Sequence, residues 1–396
     1  MRGTTPQSKE SHMLRTSDPA VLVTGATGFI GRHVVTRLSV ARRRVVILVR
    51  HRGGLTADQR VAAIFGGHSC RWLEVLEGDL ADPGVLQRDI KRRGLKIETV
   101  IHCAGETSFL AGEQASVRSV QIDGPLALLK ILLPAGLRCW VYLSTAFVCG
   151  RREGMIYENE TDIGQEFHNG YEWLKLELEI QLQQSCRQLG VDLRILRPSI
   201  VIGGAPSTAG GAPSNLLIGF LRLLIALSRS ARQTPIRIQG RPHARFNIVP
   251  VEYVAAAIEQ LSSDSAASGA TVHLVAKNPP TQARMLEMMG TRLNLHSLRL
   301  LNAAEALCNP SPLEIRVARM LSPYRDYLQQ DVQFDDSAAR RLLRRHRLEA
   351  PVIDEKTLER FLALARFSER NGDLPKARQA AEWTLLHAQS PIAGDG

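Results

Sequence analysis

Gly25, Gly28 and Gly31 follow directly on the apolar run Val21-Leu-Val23, and helical spacing takes over at once through Val34, Val35 and Leu38. A strand that breaks into Gly-x-x-Gly-x-x-Gly and re-forms as a helix implies a tight turn, a backbone open to close approach, and a close helix–strand contact. It also sets a helix N-terminus, a natural anion site, at the end of the first strand. The pattern points to a doubly wound α/β sheet with a pyrophosphate over its first turn. The plainer alternative is a tight turn and nothing more.

Further β-like runs follow at Val45–Val49, Trp72–Leu76, Thr99–His102, Trp140–Leu143 and Leu193–Leu196, with helical stretches between them. Alternating strands and helices imply a parallel sheet, and strands buried on both faces read as continuous apolar runs, as these do. The expected fold is a Rossmann-type, doubly wound parallel α/β sheet with a smaller, mainly helical substrate and C-terminal region. Residues 1–18 form a polar tail, expected to be disordered and set aside from the fold. Residues 19–204 form the dinucleotide domain, to which 245–275 return. Residues 205–244 read as an insert, with a Gly/Pro/Ser-rich loop, an apolar helix at Asn215–Ser228 and a basic loop. Residues 276–396 read as mainly helical.

The 396 residues are 44% hydrophobic and 22% charged, which excludes a disordered or collagen-like chain. Fifty Lys+Arg against 39 Asp+Glu give a formal charge of +11, which favours anionic partners. The short basic runs Arg42–Arg44, Lys91–Arg93 and Arg340–Arg347 read as solvated helix faces, and nothing resembles a nucleic-acid motif. None of the six cysteines has CxxC spacing, so buried free thiols are expected, with no zinc or other metal. The longest apolar stretch, Leu216–Leu227, is interrupted by Arg222 and is far short of the ~20 residues that span a bilayer. A cytoplasmic protein is expected, with peripheral membrane contact left open and the oligomeric state unread.

The site candidates sit at strand ends. Thr24, Gly25, Thr27, Gly28, Phe29, Ile30 and Gly31 make the first turn and the start of its helix. The second strand ends in Val49-Arg50-His51-Arg52. A carboxylate there would accept from a ribose 2′-hydroxyl. Arg50 and Arg52 instead suit a 2′-phosphate, with Arg32 nearby, and hence NADP(H). Asp79 and Leu80, after the third strand, are placed to meet the adenine, although Asp79 can equally be a turn residue. Cys103, Ala104 and Gly105 are small enough for a cofactor to lie against the fourth strand, while His102 reads as a packing residue. Tyr171 and Lys175 share one face of a helix at i, i+4 spacing. An ammonium beside a phenol lowers the phenol's pKa, and a tuned phenol can protonate a carbonyl oxygen. A hydroxyl from Thr145 or Ser144 can bond the same oxygen.

In these pieces, and in their order, the chain resembles the extended short-chain dehydrogenase/reductase superfamily. They are Thr24–Gly31, Asp79-Leu80, Ser144–Gly150, Tyr171/Lys175 and Leu196-Arg-Pro-Ser-Ile-Val-Ile-Gly203. Leu48-Val-Arg50, Val100-Ile-His102, Phe246–Val254 and Phe334-Asp335 make it most similar to the thioester reductase and fatty acyl-CoA reductase branch, the male-sterility type. The resemblance implies Tyr171 as general acid, Lys175 as its tuner and a nicotinamide-ribose contact, and Thr145 as oxyanion partner. It sets Pro198, Ser199 and Ile200 beside the nicotinamide. Gln121 stands where the family usually has Asn, and Cys149 where it usually has Tyr.

The substrate signal is thinner. Leu216, Leu217, Phe220, Leu221, Leu223 and Leu224 give a helix an apolar face that either lines a channel or packs on the core. Arg229, Arg232, Arg237, Arg241 and Arg245 either meet the phosphates of coenzyme A or an acyl carrier protein, or simply keep the surface soluble. The expected function is an NADPH-dependent reductase of apolar acyl thioesters, carried on coenzyme A or an acyl carrier protein, to aldehyde or alcohol. The alternatives are an NADP-dependent ketone or alcohol dehydrogenase on a lipophilic small molecule such as a sterol or polyketide, and a non-catalytic NADP-binding sensor.

Overall fold

The computed structural model describes residues 19–65, 72–105, 115–203, 216–228, 235–302, 305 and 307–370. Seven strands form the central sheet: β1 (Ala20–Thr24), β2 (Val45–Val49), β3 (Leu73–Glu77), β4 (Ile97–His102), β5 (Cys139–Leu143), β7 (Asp192–Pro198) and β11 (Thr271–Leu274). Their order is β11-β7-β5-β4-β1-β2-β3 and every pairing is parallel. The chain winds outward from β1 to β3, then crosses back to β4, so a crevice opens at the carboxyl ends of β1 and β4, the usual ligand position in such sheets. The polar tail 1–18 lies outside the described residues.

Side-chain alternation along β1 divides the core. Val21 and Val23 face α1 (Phe29–Val40) and α8 (Val251–Ser263) through Val34, Leu38, Val254 and Ile258. Ala20 and Leu22 face α3 (Pro83–Arg93), α5 (Gly124–Leu132) and α6 (Gly170–Leu189) through Leu86, Ile90, Leu128 and Leu182. Between these lie the outer helix α2 (Ala57–Phe65) and the short α4 (Ala115–Arg118), which runs into a π-helical turn at Ser119–Asp123. Helix α6 is capped at both ends: the Asn169 side chain accepts from the Glu172 amide, and Gly190 takes the left-handed conformation at φ +68°.

Most of the remaining elements extend the first core, while Ile156, Val332 and Phe334 join Ala146 and Cys149 in a small third cluster. Helices α7 (Leu216–Ser228), α9 (Gln282–Leu293) and α13 (Glu355–Arg370) contribute Leu221, Leu224, Met289, Leu358 and Phe361 to the first core. Helices α10 (Pro312–Leu321), α11 (Arg325–Leu328) and α12 (Ser337–Arg344) complete the C-terminal part. Three parallel strand pairs sit outside the main sheet: β6 (Gly154–Ile156) with β13 (Val332–Phe334), β8 (Ile200–Ile202) with β10 (Ile248–Pro250), and β9 (Ile236–Gly240) with β12 (Leu298–Asn302). Part of the expected basic loop is thus strand β9, and the expected helical C-terminal region carries β12 and β13. No described helix is long and apolar enough to cross a membrane.

Candidate active site

The first turn explains two of its glycines by contact. Gly25 has φ +67°, and a Cβ there would lie 2.6 Å from the Ala104 nitrogen. A Cβ on Gly31 would run into the Gly25 carbonyl, so this glycine lets α1 close onto the turn. Gly28 is the extended N-cap of α1 and brings no side chain to cap it, which leaves first-turn amides available to an anion. These residues fit a dinucleotide pyrophosphate: the glycines let the turn and α1 close tightly, and the uncapped helix start offers backbone amides with no side chain in the way. Phe29 stacks edge-on to His33, and Ile30 packs on the core. The Thr24 hydroxyl is turned away from the crevice: it meets His102 Nδ1 at 2.8 Å and accepts from the Ala104 amide at 3.3 Å. Burial pushes His102 down to about 3, so its ring is neutral and serves this link between β1 and β4.

Three arginines gather beyond the end of β2, and one of them reaches Thr27. Arg50 and Arg52 end β2, and Arg60, on α2, donates to the Thr27 hydroxyl at 2.9 Å and to the Arg50 carbonyl at 2.6 Å. Burial lowers the Arg60 pKa, and the charges of Arg52 and Arg50 lower it further. Sequence reasoning missed Arg60, a single cation on an exposed helical stretch. Arg50 stands 3.9 Å from Asp79, whose other oxygen accepts from the Ala81 amide at 3.0 Å in the turn role expected of it. Leu80 is buried under Gly124 and belongs to the core on the α3 side, so its side chain is a packing group.

The candidate catalytic side chains come from the end of β5 and from α6. Thr145 caps the short turn Ala146–Cys149, its hydroxyl accepting from the Phe147 amide at 3.3 Å. Lys175 is buried and donates to the Leu143 carbonyl at 2.9 Å, two residues before Thr145. Its ammonium lies 5.9 Å from the Tyr171 ring centroid and 5.0 Å from that of Tyr142. A Cβ on Gly105 would meet Lys175 Nζ at 3.1 Å and Gln121 Oε1 at 3.4 Å, so both groups converge beside the Cys103–Gly105 segment. Gln121 reaches this spot from the π-helical turn.

Burial pushes Lys175 down to about 8 and raises the Tyr171 phenol well above its ordinary value, with Glu172 adding to the rise. The expected lowering of the phenol by its lysine neighbour is not met: burial and the Glu172 charge both act in the opposite direction. Ser199 donates to Asn247 Oδ1 at 2.8 Å, and Asn247 also accepts from the Ala276 amide; this pair holds the Pro198–Ile200 loop between β7 and β8.

Ile200 opens onto an apolar cavity of about 80 Å³. Phe220, Met285, Met289, Leu300 and Tyr327 are among its walls. Its one amide side chain, Gln282, is already engaged: it accepts from the Arg241 amide and donates to the Leu328 carbonyl. The apolar helix α7 divides between the two expected roles. Phe220 lines the cavity, whereas Leu221 and Leu224 are core residues at 1% and 0% exposure. Leu216 and Leu217 lie outside the described side chains.

Three of the five arginines expected in the basic loop have partners within the protein. Arg237 lies on β9 and is held by Glu314, Arg241 pairs with Glu153, and Arg245 donates to the Pro279 carbonyl. Arg229 and Arg232 lie outside the described residues. Cys103, Cys139, Cys149, Cys186 and Cys308 are free thiols, but Cys308 is exposed rather than buried. Among the described residues no group of three His, Cys, Asp or Glu side chains could hold a metal ion.

Residues 23–258 match an NAD-binding family model described as "Male sterility protein". The NRPS-like oxidoreductase FscA of Fusarium equiseti is 29% identical over 226 residues, 52% of this chain and 20% of that protein. A carboxylic acid reductase of Mycobacterium tuberculosis is 25% identical over 293 residues, 64% of this chain and 24% of that protein. The chain thus spans a quarter or less of each of these relatives. Among solved structures, the terminal R domain from the myxalamid PKS-NRPS biosynthetic pathway superposes with a TM-score of 0.69 at 21% identity, over 87% of this chain and 90% of that one.

Proposed function

The chain belongs to the male sterility protein family, within the extended short-chain dehydrogenases/reductases, and from that premise we propose that it is an NADPH-dependent reductase of apolar acyl thioesters. The observation that carries this reading is an apolar cavity whose wall residue Tyr327 packs on Phe147, the amide partner of Thr145, and bonds Glu172, the neighbour of Tyr171, while the cavity's one amide side chain is spent inside the protein. A nucleotide sugar or a polar ketone would find no free partner in such walls, whereas a hydrocarbon tail gains by burial there.

The cofactor preference rests on Arg50, Arg52 and Arg60, which together suit a 2′-phosphate better than a 2′-hydroxyl. The bound dinucleotide supplies the hydride that reduces the thioester carbonyl. Thr145 accepts from the Phe147 amide, so its own hydrogen is free to donate to the substrate oxygen. Tyr171 donates the proton that this oxygen takes up, and the Lys175 ammonium, fixed on the Leu143 carbonyl, stabilises the phenolate left behind. The resulting hemithioacetal breaks its carbon–sulfur bond and gives aldehyde and free thiol. In sum, R–CO–S–R′ + NADPH + H⁺ becomes R–CHO + HS–R′ + NADP⁺, and a second cycle on the aldehyde gives the alcohol. The thiol belongs to coenzyme A or to a carrier protein. The relatives' names, an NRPS-like oxidoreductase and a terminal R domain of a PKS-NRPS pathway, favour the carrier protein. Following NADPH absorbance with acyl-pantetheine, acyl-CoA and acyl-carrier-protein substrates tests the reading; oxidation only with ketones or alcohols would replace it with a dehydrogenase.

A further inference from the structure

Glu172 directly follows Tyr171 and is completely buried. A carboxylate in such a place is tolerated only when its oxygens are bonded. Here the His168 amide donates to it at 2.9 Å, His168 Nδ1 lies 3.1 Å from both oxygens, and the Tyr327 hydroxyl donates to Oε1. Asn169, the cap of α6, closes the ring: its Oδ1 accepts from the Glu172 amide at 3.1 Å and its Nδ2 donates to the Tyr327 oxygen at 2.8 Å. Tyr327 comes from α11, 155 positions away in sequence.

The ring of Tyr327 is a wall of the apolar cavity. It also packs against Phe147 and His168, with both ring centroids at 5.0 Å. The Phe147 amide is the group that orients the Thr145 hydroxyl. One wall residue therefore touches the immediate neighbours of both groups that would face the substrate oxygen: Phe147 beside Thr145, and Glu172 beside Tyr171.

We infer that Glu172 is a positioning residue, which couples an acyl tail in the cavity to the placement of Tyr171 through the Tyr327 hydroxyl. The inference rests on the reading of Tyr171 as proton donor and of the cavity as the acyl site. A tail pressing on the Tyr327 ring loads the first turn of α6, where a small misplacement of the phenol is costly to turnover. A short acyl group that leaves the cavity empty does not engage the link.

The test compares kcat and KM for dodecanoyl- and acetyl-pantetheine in the parent and three variants. In the parent, kcat is higher for the dodecanoyl substrate. Tyr327→Phe keeps the ring in the wall and removes only the hydroxyl; the kcat advantage collapses by roughly tenfold, while KM for the dodecanoyl substrate stays within about threefold. Glu172→Gln keeps one oxygen to accept from Tyr327 but turns an NH2 towards the His168 amide, so it retains only part of the advantage, and Glu172→Ala loses it. Equal losses with both substrates in Tyr327→Phe, or no loss with either, would overturn the coupling and leave the proposed function standing.

A parent that reduces no thioester would contradict the function instead. The coupling is then read without turnover, from hydrogen exchange of residues 170–176 on adding dodecanoate. Exchange slows in the parent but not in Tyr327→Phe, and an equal slowing in both overturns the coupling.

Discussion

The Lys175 ammonium donates to the Leu143 carbonyl at 2.9 Å from within a fully packed site, and burial holds its pKa at about 8. Because the folded value lies below the ordinary 10.5, the buried charge opposes folding at neutral pH. That penalty, about 3 kcal/mol by the size of the shift, is present below pH 8 and is relieved as pH rises from about 8 towards 10.5. Lys175→Met is therefore expected to stabilise the cofactor-free chain at pH 7 and to flatten its stability between pH 8 and 10.5, measured by urea unfolding across that range. In the parent, NADPH affinity falls above pH 8 as the ammonium is lost, measured by titration calorimetry; an affinity constant from pH 7 to 9.5 would remove Lys175 from the cofactor site.

Arg60 gives the sharpest test of cofactor choice. Its guanidinium bridges Thr27 in the first turn and the backbone of Arg50. Loss of one charge-assisted phosphate contact is worth roughly 1.5–3 kcal/mol, or about 10- to 150-fold in affinity. Arg60→Ala is expected to weaken NADPH binding on that scale and to leave NADH binding nearly unchanged. Equal effects on the two cofactors would mean that Arg60 only braces the turn.

Met285 on α9 lines the cavity, whereas Leu221 on α7 lies in the core. Met285→Trp projects into the cavity and is expected to shorten the preferred acyl chain with little loss of stability. Leu221→Trp overpacks the core and costs roughly 1–3 kcal/mol, with the chain-length profile unmoved. Melting temperatures and chain-length profiles of the two variants check this; a changed profile in Leu221→Trp would extend the cavity to the other side of the helix.

What the sequence made legible follows from range. The strands of the main sheet are short apolar runs next to turn residues, and six of the seven stand out without reference to any partner. The seventh, Thr271–Leu274, is four residues with a buried histidine, and it is a strand because β7 lies beside it. Ile236-Arg-Ile-Gln alternates as a half-buried strand does, yet its arginines read more strongly as a basic loop; in the fold Arg237 is neutralised by Glu314, 77 residues on. Thr145, Tyr171 and Lys175 were visible because two of them share a helix face and the third ends a strand. Arg60, Asn247 and Tyr327 were not, because each acquires its role from a residue between 33 and 155 positions away. Glu172 lay in plain view beside Tyr171, but a carboxylate on a helix reads as solvent-facing until its burial is known.

The central claim is reduction of an acyl thioester, and the thiol product distinguishes it from every other hydride transfer on this fold. The decisive measurement follows NADPH absorbance and free-thiol release together, with dodecanoyl-pantetheine, in the parent and in Tyr171→Phe. The expected result is one thiol released per NADPH consumed while aldehyde accumulates, and turnover lowered by roughly 10²-fold or more in Tyr171→Phe with cofactor binding intact. NADPH consumption without thiol release, or full activity in Tyr171→Phe, would contradict it.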